Sequence, residues 1–279
     1  MPATALLVAL ALAAGPREPV EPALEPLMDN SFLLEEAYNQ EAGVVQHIFT
    51  FTRDRASGAW ALGFTQEWPV PDERHQLSYT LTFANDGNKG GEQGLSDILL
   101  NYRFRVTQGE EVAFAPRLTA ILPGSDADPG VGFRGFGGQL NLPVSVRLAP
   151  RLVTHTNLGL TWVPSGRDGT ARAQWLGYGA GQSFVWLATP RFNLLAELLW
   201  TSTEAVVAGH TSRQQTFSAS PGLRYGIDLP GDLQVVVGAA VPIGLGPSAG
   251  DVAVFGYLSL ELPFWHPAET GKAERPAAP

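Results

Sequence analysis

The stretch LSDILLNYRFRV (95–106) sorts its side chains by parity: Ile98, Leu100, Tyr102, Phe104 and Val106 fall on one side, Asp97, Leu99, Asn101, Arg103 and Arg105 on the other. A two-residue period marks a β-strand with two unlike faces. The alternation recurs from Val44 onward. Leu77, Tyr79, Leu81 and Phe83 oppose Gln76, Ser78, Thr80 and Thr82, and Phe192, Leu194, Ala196, Leu198 and Trp200 oppose Asn193, Glu197 and Thr201. The pattern predicts twelve strands, at 44–54, 59–69, 75–85, 95–107, 112–123, 135–149, 152–164, 172–188, 191–205, 213–229, 233–243 and 251–265. Many exceed the five or six residues usual in soluble sheets, whereas about ten residues suit a tilted strand that crosses a membrane.

The joins alternate as well. PDER (71–74), TQGEE (107–111), the turn at 149–151, TPR (189–191) and PGD (230–232) are tight, while 85–94, 123–135, 164–171 and the stretch around 208–212 read as longer polar or Gly-rich loops. Short turns at one end and long loops at the other are the pattern of an outer-membrane β-barrel. The fold class is therefore all-β, a transmembrane antiparallel up-and-down barrel over 44–265. A soluble two-sheet sandwich also alternates, but it does not need its joins to alternate by parity.

In such a barrel the apolar face meets lipid and the polar face lines the lumen. That assigns Glu67, Asp97, Arg103, Arg105, Arg117, Arg147, Glu197, Arg224, Asp228 and Glu261 to the interior, together with His155 and Asn157. Five acids meet five arginines, and buried charge is tolerated chiefly when paired. Mutual pairing accounts for the balance; a selectivity lining for a polar or anionic solute is the alternative. Trp68, Trp162, Trp186, Trp200 and Trp265 near strand ends fit interfacial girdles.

Upstream of the barrel, 1–14 has the apolar run and small-residue ending (Ala11-Leu12-Ala13) of a secretory signal peptide. Residues 15–30 read as a Pro- and Glu-rich linker, and SFLLEEAYNQE (31–41) as a short helix or as a plug inside the lumen, with Phe32, Glu35, Glu36, Tyr38, Asn39 and Gln40 as its candidate contacts. Residues 266–279 read as a flexible tail.

Composition changes the picture by exclusion. Only 16% of residues are charged and the net charge is −9, so a nucleic-acid surface is not expected. The absence of cysteine removes thiol chemistry and Cys-based zinc sites. The charge-poor stretches 173–190 and 233–250 contain too many Gly and Pro to hold lipid-exposed helices. The five histidines are scattered without metal-binding spacing, no phosphate-binding loop is present, and Asp126 and Asp128 fit turn formation better than a calcium loop. No cofactor or metal is implied.

His155 and Asn157 share the inward face and resemble part of the catalytic group of an outer-membrane phospholipase. That chemistry needs a serine beside the histidine; Thr156 faces the other way and no serine falls at a matching spacing. The glycines of GYGAGQ (177–182) make room for large neighbours or a plug.

DNSFLLEEAYNQEAGVVQHIFTF (29–51), TQEWPVPDERHQLSYTLTF (65–83) and GLSDILLNYRFR (94–105) together resemble a family of bacterial outer-membrane proteins described as transporters of the phenol-degradation meta-pathway type. The resemblance implies a barrel for passage of aromatic or other hydrophobic compounds and offers no catalytic residues. The expectation is thus a passive channel rather than an enzyme, with outer-membrane lipid, a small-molecule solute and the barrel-assembly machinery as partners. A permanently closed structural barrel and a lipid hydrolase are the alternatives.

Overall fold

The computed structural model describes residues 24, 27, 29–87, 93–109, 111–124, 132–168, 171–207 and 210–264. The signal peptide, the tail, Trp265, Asp126 and Asp128 lie outside them. The described strands form one closed antiparallel barrel of twelve staves. The first three are β1 (Val44–Asp54), β2 (Trp60–Pro69) and β3 (His75–Asn85). Next come β4 (Gln93–Leu95, Ile98–Phe104 and Thr107–Gln108), β5 (Val112–Phe114 and Arg117–Leu122) and β6 (Gly137–Asn141 and Val144–Ala149). The tall staves are β7 (Leu152–Asp168), β8 (Ala171–Leu187), β9 (Phe192–Val207) and β10 (His210–Leu229). The wall ends with β11 (Leu233–Ala240 and Ile243–Gly244) and β12 (Ala253–Pro263). Closure is a full ladder between β1 and β12, from Val44 opposite Pro263 to Asp54 opposite Ala253.

Staves β5 and β6 break at Pro116 and Pro143, which have no N–H to give a ladder; the break is bridged where the Ala115 N–H donates to the Pro143 carbonyl. Two expected loops turn out to be strand. The polar run Ser165–Arg167 continues β7 past a bulge between Val163 and Gly166, and β9 pairs with β10 up to Val207 opposite His210. Polar sequence there looked like loop because these hairpin ends stand clear of the apolar band, where no greasy face is needed and ladder bonds together with polar pairs such as Arg213 with Glu204 hold them.

Outward-facing Leu62, Phe83, Leu118, Leu158, Leu198 and Val254 leave large apolar surface exposed around the wall, the surface a bilayer covers. Trp162, Trp186 and Trp200 also face outward. Among the described residues no helix is long and apolar enough to cross a membrane. The expected short helix over 31–41 does not form. Backbone N–H groups of that segment bond to side chains of the wall rather than to carbonyls four residues back.

Candidate functional site

The residues before β1 run up into the lumen and back again. Leu24 N–H donates to the Pro150 carbonyl in a tight turn, and Ala42 N–H meets Glu73 in another, so both limbs of the segment start from the short-turn end. Between them, the apex at Leu33 and Leu34 gives its two N–H groups to the Glu197 carboxylate at 3.0 and 3.2 Å. Phe32 lies 5.3 Å, ring to ring, from both Phe255 and Tyr257. A Cβ on Gly238 would press on the Phe32 ring and one on Gly181 on the end of the Leu34 side chain, so the absence of a side chain at these two wall positions leaves the room that the segment fills.

Arg224 is the main grip. Wholly buried, it donates to the carbonyls of Leu27, Asp29 and Asn30, to the Glu36 carboxylate at 3.0 Å, and to Asn193 on the neighbouring stave. Charge-assisted bonds of this kind are roughly twice as strong as neutral ones. Glu36 also accepts from Ser31 and lies 3.6 Å from His155 Nε2. Burial pushes its carboxyl up to about 7, against the opposing pull of Arg224. Burial likewise pushes the Tyr38 hydroxyl up to about 12.

Glu35 faces the other wall. Its carboxylate bridges Arg103 at 2.8 Å and Arg117, while its backbone N–H and carbonyl are both held by the Asn157 amide. Burial would raise its carboxyl, but the two arginines outweigh that and hold it below the ordinary range. Arg103 also donates to the Tyr38 carbonyl. Asn39 bonds to the Glu73 carbonyl, and Gln40 to Gln76 and Gln46.

The remaining assigned residues divide by height. Glu67 accepts from Gln76 at 2.6 Å, and Glu261 from Gln46 at 3.4 Å. Asp97 caps the N–H groups of Phe133 and Arg134 and so ties a loop to the wall. Arg147 bonds to the Leu24 and Pro150 carbonyls. Arg105 and Asp228 sit at the short-turn rim: Arg105 reaches Glu73 at 3.6 Å, and Asp228 pairs at 2.8 Å with Arg191 in a bridge about half exposed on both sides. Alternation put them indoors because parity carries no information about where a strand leaves the barrel.

Two contributors escaped the sequence. Asp29, assigned to the linker, is buried and accepts from Tyr257, Ser259 and Gln46. The inward parity of Gln46, Tyr257 and Ser259 was the available signal. Ser145 is the serine missing along β7: it belongs to β6, and the ladder sets it opposite His155, with Oγ 2.7 Å from Nδ1. Ser145, His155 and Glu36 thus make a relay with the residue types of a nucleophilic triad. Ser145 Oγ already accepts the Ala37 N–H at 2.8 Å, and Ser145 and His155 are each 1% exposed. With the segment docked this hydroxyl is shut away, and the acid member comes from the inserted segment rather than the wall. The relay anchors the segment.

Above the apex the lumen holds two open cavities. One, of about 160 Å³, lies between the apex and the hydroxyls of Thr50, Thr65 and Thr80; the other, of about 220 Å³, lies against Asn141, Gly179 and Trp175. Arg117 lines both. Among the described residues no group of acidic or histidine side chains is arranged to hold a metal ion.

Solved structures share this fold. The chain is similar to the COG4313 outer membrane channel from Pseudomonas putida F1, with 12% identity and a TM-score of 0.64 over 81% of this chain and 98% of that one. The fold is that of a porin-like outer-membrane barrel. NanC porin is similar over 77% of this chain and all of its own length, with 10% identity and a TM-score of 0.54. No protein-family model and no curated protein sequence matches the chain.

Proposed function

We propose that this protein is an outer-membrane channel for small solutes, closed in the state described by its own pre-barrel segment. The observation that carries the reading is the spread of that segment's partners: Gln76 on β3, Arg103 on β4, Asn157 on β7, Glu197 on β9, Arg224 on β10 and Ser259 on β12. A strap bonded to so many staves fills the bore of a barrel that has little to spare. The names of the similar structures, a channel and a porin, support passage as the activity. The resemblance over 29–105 extends the reading to aromatic or hydrophobic compounds. The barrel would then be surrounded by outer-membrane lipid and inserted by the assembly machinery, with 1–14 as leader and 266–279 as tail.

Conductance in planar bilayers tests the proposal. Deleting 30–43 is expected to raise single-channel conductance several-fold, and an unchanged value would remove the plug from the account. A permanently closed structural barrel predicts that liposomes bearing either form leak solute no faster than empty ones. Hydrolysis of phospholipid or ester by the parent protein, abolished by His155→Ala, would reinstate the enzyme reading.

A further inference from the structure

Arg103 and Arg117 stand directly opposite each other in the ladder between β4 and β5. Like charges in that position repel, unless an anion lies between them. Glu35 is that anion, giving one oxygen to each guanidinium. The clamp is not used up: the Nε of Arg103 and the Nε of Arg117 are both buried without a hydrogen-bond partner. Unspent donors at a buried, charged site call for an acceptor.

The clamp is also reachable. Arg117 borders both cavities above the apex, and its side chain is 21% exposed against 4% for Arg103. A solute entering from the long-loop end therefore meets Arg117 first, at the oxygen of Glu35 that Arg117 holds. Glu67 lines the cavity on that side and repels a second negative charge, which favours a monoanion over a dianion.

We infer that Arg103 and Arg117 form a carboxylate-binding site for organic monocarboxylates, which Glu35 occupies as a built-in competitor, so that an arriving solute carboxylate loosens the segment by taking its place. The inference rests on the plug reading for its consequence, though not for the site itself. Selectivity follows from the fork: a neutral amide of the same shape lacks the charge-assisted bond to guanidinium.

The test is calorimetric titration of the full chain in detergent with butyrate and with butyramide at constant ionic strength. Glu35→Gln is expected to bind butyrate about tenfold tighter than the parent, with butyramide unchanged. In the chain lacking 30–43 butyrate should bind more tightly than in the parent, and adding Arg117→Gln should abolish that binding. Equal butyrate affinity in parent and Glu35→Gln, or binding that survives Arg117→Gln in the deletion background, overturns the proposal. Heat-modifiable migration on gels reports whether each variant is folded, and if Glu35→Gln is not, the deletion pair alone decides. The two readings fail separately: unchanged conductance on deletion with a butyrate site intact sinks the plug, while increased conductance with butyrate indifferent to Arg117 sinks the site.

Discussion

Glu35 and Glu36 are neighbours in the chain and opposites in setting. Glu35 looks toward β4 and β5, touches two arginines and borders open cavity; Glu36 looks toward β7 and β10, has one arginine, and is shut away from solvent. The first carboxyl is held below its ordinary range and the second is pushed up to about 7. The same functional group can thus be a held anion or a reluctant one, and what decides is the number of cations met against the water lost. The segment is fastened on one side by charge and on the other by a network that tolerates a proton.

The comparison breaks most severely at Arg224. Arg224→Leu removes bonds to four groups of the segment and strands Glu36 in a buried site, a loss on the order of 3–5 kcal/mol in docking. The expected result is a persistently conducting channel whose segment is cut by added protease while the barrel still migrates as a folded species. Retained closure would refute the role given to Arg224.

Next in size is the response to pH. Glu36 has a raised value when docked, so the docked segment holds an extra proton; docking is strongest below the ordinary glutamate range and weakens as pH climbs through about 7, by at most about 3 kcal/mol. Arg224, Asp29, His155 and Glu197 face it and are part of that balance. Glu35 has the opposite sign: its contribution is present above the ordinary glutamate value and lost as pH falls through its lowered docked value. Closure should therefore be tightest in mildly acid solution and relax toward both extremes. A conductance series carried from pH 9 down to well below the ordinary glutamate value checks this, and Glu36→Gln should flatten the alkaline limb alone.

Gly238→Ala should come third, because a Cβ there collides with the Phe32 ring and the segment has to shift to accommodate it. A modest rise in open probability at neutral pH is expected, reversed when Phe32→Ala is added. The smallest effect belongs to Asp228→Asn: the exposed bridge to Arg191 is worth about 0–1 kcal/mol, and neither conductance nor thermal stability should move measurably.

The wall was legible in the sequence because a two-residue period is local and each stave repeats it. The ends were less so, as Ser165–Arg167 shows: beyond the apolar band a strand loses its greasy face and resembles a loop. The inner site was legible in part. Inward parity found Arg103, Arg224 and Glu197, and the Gly-rich run around Gly181 hinted at something large nearby. Ser145 beside His155 was not legible, since their distance is set by register between two staves, which depends on turn length at 150–151 rather than on spacing within either strand. Asp29 was hidden by its company of prolines and glutamates, whose composition resembles a solvated linker.

The path of the pre-barrel segment, up and back to the same rim, has a consequence for biogenesis. A chain that passed through the bore from one end to the other would have to be threaded before the cylinder sealed. A hairpin whose limbs at Leu24 and Ala42 share one rim can be inserted afterwards, like a tongue slipped into a finished buckle. Such a path leaves sealing of β1 against β12 and seating of the segment free to be separate steps.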